Sequence, residues 1–164
     1  MNPAMPAQTL YLDTSVIGGY YDTEFMADTR ALWRLMERGA YRFYTSRVAM
    51  NELRDAPLAV RELSARTFTD ATRILNVSPE AFALAQAYLA AGVVPAKFGD
   101  DAVHVAVATC EGIGLIVSWN FKHLASLHRN ERFNAVNLLH GRPVIRIVAP
   151  NVLLNPDENL EENV

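Results

Sequence analysis

Five short, largely apolar runs punctuate the chain: TLYLD (9–13), YRFYT (41–45), RILNV (73–77), LIVS (115–118) and VIRIV (144–148). Between them lie stretches with helical spacing, and this alternation constrains the fold more than any other feature. A strand buried on both faces reads as a continuous apolar run, so LIVS is expected at the centre of a sheet. Strands alternating with helices imply an α/β architecture, a mainly parallel central sheet with helices on both faces.

The helical stretches carry their own boundary signals. In 25–38, Phe25, Leu32, Trp33 and Met36 fall near one face and Arg30, Arg34, Glu37 and Arg38 lie opposite, with Gly39 as a stop. Ser46 is placed to cap a helix through RVAMNELRD, and Pro57 to open another over LAVRELSAR. SPEAFALAQAYLAAG has Ser78 as N-cap, Pro79 at the first helical position and Gly92 as terminator. DDAVHVAVATCEG reads as an apolar helix opened by acids, and 129–140 as a last helix. One domain over 1–156 is expected, followed by a disordered acidic tail, 157–164.

Composition excludes several classes. With 51% hydrophobic residues, a 164-residue chain has enough apolar side chains for one packed core. No apolar segment approaches the roughly 20 residues needed to span a bilayer, and MNPAMPAQTL lacks the basic start and apolar centre of a signal peptide. Cys110 is the single cysteine, which rules out an internal disulfide and a cysteine-based zinc site. A cytoplasmic location is the expectation. Net charge is −3, but the tail DENLEENV holds four acids, leaving 15 bases against 14 acids in 1–156. Of those bases 13 are Arg, whose planar fork suits phosphate. Charge alone selects no partner.

Parallel sheets bind ligands beyond the carboxyl ends of their strands. Asp13 closes the first strand at that end, and Asn120 follows LIVS at another. Glu52 lies on the helix after the second strand, while Asp100 and Asp101 open the apolar helix. Singly, each has a plain explanation: a turn residue for Asp13 or Asn120, an exposed helix glutamate for Glu52, capping and dipole for the aspartate pair. Jointly, converging carboxylates repel unless a cation holds them. A hard divalent ion with oxygen ligands, Mg²⁺ or Mn²⁺, is the natural partner, and its chemistry is phosphodiester hydrolysis.

Four ordered blocks, YLDTSVIGGYYD, TSRVAMNELRDAP, FGDDAVHVAVAT and LIVSWNFKHL, together resemble the PIN-domain family, in particular VapC-like toxin ribonucleases of bacterial toxin–antitoxin pairs. The resemblance spans about 9–148 and implies a PIN-like three-layer sandwich. It matches Asp13, Glu52 and Asp101 to the metal-binding acids, with Ser15 as a nearby hydroxyl and Asp100 as an auxiliary ligand or cap. It also implies an RNA substrate, a cognate antitoxin and a homodimer. One position departs: many active members carry Asp where this chain has Asn120, and a neutral amide is the weaker ligand, suited to orienting water or supporting a neighbouring carboxylate.

Other residues carry two readings. His104, three positions after Asp101, either faces the site or packs in the core. Lys122, Arg129 and Arg132 form a basic stretch that suits a phosphate backbone or a solvated helix face. Trp119 and Tyr20 or Tyr21 suit base stacking or core packing. The leading expectation is a metal-dependent endoribonuclease. Its alternatives are a catalytically weak RNA-binding or regulatory module, and a phosphatase or flap nuclease using a similar pocket.

Overall fold

The computed structural model describes residues 6–156; the acidic segment 157–164, expected as a tail, lies outside the described residues. Strands β1 (Gln8–Leu12), β2 (Tyr41–Ser46), β3 (Ile74–Leu75), β4 (Leu115–Val117) and β5 (Arg146–Val148) form one sheet, ordered β3-β2-β1-β4-β5, with every pairing parallel. The helices among the described residues are α1 (Thr14–Gly19), α2 (Met26–Glu37), α3 (Arg47–Glu52), α4 (Leu58–Thr67), α5 (Pro79–Ala90), α6 (Gly99–Cys110) and α7 (Leu127–Leu139).

Strand periodicity sorts the core into two layers. Leu10 and Leu12 of β1 point to one side, where Val16, Ile17, Leu32, Trp33, Val60 and Leu63 of α1, α2 and α4 cover them. Tyr11 points to the other and packs with Tyr88, Val105, Ala106 and Phe133 of α5, α6 and α7. Neighbouring β4 splits the same way, Ile116 with Tyr11 and Val117 with Leu12. The result is a three-layer α/β sandwich. α6 is its most enclosed helix: between Asp101 and Glu111 no residue carries a carboxylate or a permanent positive charge, and Ala102 and His104 to Thr109 are buried. Among the described residues no helix is long and apolar enough to cross a membrane.

The outer edge of β5 is closed by side chains rather than by another strand. Asn130 and Asn134 of α7 each both accept from and donate to a backbone residue of this strand region: Asn134 with Ile145 (2.8 Å each way), Asn130 with Ile147 (2.7 and 3.3 Å). The geometry matches because two strand residues advance about 6.6 Å and four helical residues about 6 Å.

Several boundaries differ from the sequence reading. β1 ends at Leu12, so Asp13 is the N-cap of α1, a helix that the sequence reading leaves out. RILNV contributes only Ile74–Leu75, and VIRIV only Arg146–Val148. The helix after β2 stops at Glu52 and continues as a 3-10 turn, Leu53–Asp55. Ser46 does precede α3, but its side chain makes no capping bond, because the Tyr11 hydroxyl takes it at 2.7 Å. Ser78 caps α5 through Ala81 N at 3.1 Å, and Gly92 ends the segment with φ +68°, a left-handed turn that favours glycine.

Candidate active site

The strand order sets the location. From β1 the chain winds outward to β2 and β3, then returns to place β4 on the opposite side of β1. The carboxyl ends of β1 and β4 therefore flank the crevice at which such sheets bind ligands. Asp13 N donates to Val117 O at 3.2 Å across that junction.

Asp13 is buried and held on three sides. Its Oδ1 accepts from Ser15 Oγ at 2.6 Å and from Val16 N at 3.2 Å, and its Oδ2 accepts from Ser118 Oγ at 2.5 Å. The side chain thus caps α1 while facing the crevice. Burial pushes its carboxyl above the ordinary aspartate value, against the nearby His104 and the Ser118 and Ser15 hydroxyls, which favour the charged form. Ser15 and Ser118 also fix the loop after β4, since Trp119 N donates to Ser15 Oγ at 2.9 Å and Asn120 N to Ser118 Oγ at 3.0 Å.

Glu52 ends α3 and reaches inward. Its Oε1 accepts from Thr14 Oγ1 at 3.0 Å and from His104 Nε2 at 2.7 Å. Burial works upward on this carboxyl, but the hydrogen bond and charge of His104 and the Thr14 bond outweigh it, leaving Glu52 below its ordinary value. Across its ring His104 Nδ1 meets the Tyr11 hydroxyl at 2.5 Å. His104 is only 1% exposed. Its burial opposes protonation, yet the Glu52 bond and the charges of Asp13, Glu52 and Asp101 prevail and raise its pKa. His104 is therefore both the packed histidine and a direct partner of the acid Glu52.

Asp101 lies in the first turn of α6. Its Oδ2 accepts from Asn120 Nδ2 at 3.4 Å and lies 3.4 Å from His123 Nδ1. Burial, with Asp13, Glu52 and Asp100 adding repulsion, pushes its pKa up to about 6 despite His104. Asn120 does not turn its carbonyl towards the acids: Oδ1 accepts from His123 N at 3.0 Å, leaving the amide to donate to Asp101. Asp100 is exposed on the same turn.

The basic stretch divides. Lys122 is exposed beside Asn120. Arg129 Nη1 donates to Val93 O and Arg132 Nη2 to Ala91 O at 3.2 Å, tying α7 to the carbonyls behind α5. Trp119 is core: it stacks on Phe25 with centroids 4.4 Å apart and donates to Thr29 Oγ1 at 2.9 Å.

By donor type, three carboxylates with adjoining hydroxyls suit a hard divalent cation. Glu52 Oε2 and Asp101 Oδ1 accept no hydrogen bond among the described residues, so both remain available as oxygen donors. By placement, no group of three or more His, Cys, Asp or Glu among the described residues is assembled to hold an ion. Asp13, Glu52 and Asp101 all act electrostatically on His104, favouring its protonated form. The sequence places Thr14, with Ser15, at the polar lip of the site, and the structure gives it Glu52 as partner; Ser118, which bonds Asp13, and Tyr11, which bonds His104, carry no such signal. The spacing of Asp101 and His104, one helical turn apart, signals another part of this network.

No family model and no curated protein sequence matches the chain. Solved structures share its fold, two of them as follows. FitAcB from Neisseria gonorrhoeae aligns with a TM-score of 0.56 at 17% identity, over 86% of this chain and 97% of the other. VapBC2 from Rickettsia felis, bound to a DNA fragment from their promoter, aligns with a TM-score of 0.52 at 12% identity, over 87% and 98%. The chain is similar to these proteins in fold, as a five-stranded all-parallel sheet wrapped by helices.

Proposed function

We propose that the chain is a metal-dependent endoribonuclease and the toxin of a type II toxin–antitoxin pair, a PIN-like protein of the VapC kind. The observation carrying this reading is that Asp13, Glu52 and Asp101 all lie around His104 near the switch point of the sheet, where Glu52 bonds His104 and the charges of Asp13 and Glu52 help raise the Asp101 carboxyl. The fold shared with FitAcB and VapBC2, and the sequence resemblance to VapC-like ribonucleases, support it.

In this reading Asp13, Glu52 and Asp101 hold Mg²⁺ or Mn²⁺, which when bound supplies positive charge to a scissile phosphate and lowers the pKa of water. The protein's own groups prepare that step. Ser15 and Ser118 fix the Asp13 carboxylate, and the Asn120 amide orients Asp101. His104 holds Glu52 and offsets the excess negative charge until the site is loaded. The protein works in the cytoplasm, as a homodimer whose antitoxin covers the crevice.

The test is cleavage of varied single-stranded and structured RNAs with Mg²⁺, Mn²⁺ or EDTA. Cleavage in either metal, abolished by EDTA and by Asp13→Asn, is expected; an Asp13→Asn protein as active as the wild type refutes the reading. A second reading is favoured by Asn120, which places an amide where a carboxylate would add a ligand: an RNA-binding regulatory module of low activity. RNA retention without turnover in saturating Mn²⁺ selects it.

A further inference from the structure

Beside Glu52 opens a cavity of about 520 Å³, lined by the apolar Leu53, Ala56 and Val60, by Tyr21 and Gly18, and by Thr14 and Glu52. We propose that this cavity seats one unpaired base of a single-stranded RNA, stacked on Tyr21, next to the phosphate that the carboxylates act upon; the inference rests on the nuclease reading above.

Tyr21 is 37% exposed and is held rather than loose. Arg66 Nη2 donates to its hydroxyl at 3.1 Å, Tyr20 meets it edge-on with centroids 5.1 Å apart, and the Arg30 guanidinium lies 5.6 Å from its ring centre. Arg30 is itself anchored, its Nε donating to Tyr20 O at 3.0 Å. A ring fixed in this way loses little freedom when a flat group stacks on it, which is the economy of single-strand recognition. The two guanidiniums beside it suit the backbone that follows such a base.

The lining selects what enters. Apolar walls admit an uncharged flat group, while Glu52 and Asp22 at the margins repel a phosphate and accept hydrogen bonds from exocyclic amines. Thr14 and Glu52, bonded to each other, line the cavity, and Thr14 follows Asp13 in the chain, so the cavity borders the acids. Gly18 keeps the space open: a Cβ built there meets nothing within 4 Å.

The experiment uses the full chain with short single-stranded oligoribonucleotides carrying 2-aminopurine at successive positions, titrated in EDTA and again in Ca²⁺. Quenching confined to one position is expected, with affinity falling about tenfold in Tyr21→Ala, the loss of one stacked base, and largely retained in Tyr21→Phe. Gly18→Leu adds bulk at the lining, starting from a Cβ that meets nothing within 4 Å, and should weaken binding similarly. Quenching that is absent, or equal at all positions, or unchanged in both Tyr21→Ala and Gly18→Leu, overturns the proposal and leaves the cavity to a protein partner. RNA cleavage by the wild type is measured separately. Its absence removes the nuclease reading while quenching still decides the cavity; cleavage without positional quenching removes the cavity alone.

Discussion

Asp101 offers a direct measure of what the acid cluster costs the fold. Its pKa is raised from 3.8 to about 6, chiefly by burial, and its side chain is 19% exposed. A carboxyl raised in the folded state contributes stability in its protonated form, fully present below the unfolded value and lost as pH rises through the folded one. At neutral pH the wild type therefore carries a penalty of about 1.4 kcal/mol per unit, an upper bound near 3 kcal/mol. Asp101→Asn removes the charge yet keeps an oxygen to accept from Asn120. The variant is expected to be about 1–3 kcal/mol more stable at pH 7.5 in EDTA, raising Tm by roughly 3–10 °C for a chain of this size. By linkage the gain should shrink to about half at pH 5 and vanish below about pH 4. Calorimetry across that range is the assay, with Mn²⁺ added in a parallel series. Mn²⁺ should raise the Tm of the wild type and not of the variant. A variant no more stable than wild type at pH 7.5, or a gain independent of pH, refutes the account.

Three further outcomes follow from the geometry. His104→Leu removes the hydrogen-bond partner of Glu52, so without metal Tm should fall while the Mn²⁺-induced rise in Tm grows; an unchanged metal response would show that His104 and the ion do not compete for Glu52. Gly19→Ala puts a methyl group 2.8 Å from Trp119 Cδ1 and Nε1 and 3.0 Å from Thr29 Oγ1. With Trp119 stacked on Phe25 it has little room to yield, and urea unfolding should register a loss of about 1–3 kcal/mol. Asn130→Ala with Asn134→Ala strips four backbone groups of their partners; unfolding should show a loss of about 2–4 kcal/mol, and light scattering should reveal self-association.

Much of this arrangement is legible in the residues because local and global signals agree. LIVS reads as central and lies in the interior of the sheet between β1 and β5, although β1 takes the middle position. Ser78-Pro79 and Gly92 bracket a helix by capping chemistry that does not depend on the rest of the fold. What escapes the sequence is tertiary choice. Ser46 precedes a helix as a capping residue would, but the hydroxyl of Tyr11, 35 positions away, claims it. Asp13 was read as turn residue or ligand, and the structure has it capping α1 with the same carboxylate that faces the crevice. His104 was read as core or site and belongs to both, because α6 is buried on all sides while its first turns reach the acids. Arg129 and Arg132 look like a phosphate-binding stretch, yet their guanidiniums are bonded to backbone carbonyls that no spacing rule connects to them.

The asparagine pair on α7 has a bearing on partnership. A parallel sheet grows by lending its outermost strand as a template, and here one margin is already occupied by amide side chains while the other, β3, is two residues long. The β5 side therefore does not offer the free row of donors and acceptors on which a visiting strand would register, and β3 offers only a two-residue one. At the β5 margin a partner would meet helix side chains before backbone, and recognition there would be written in side chains.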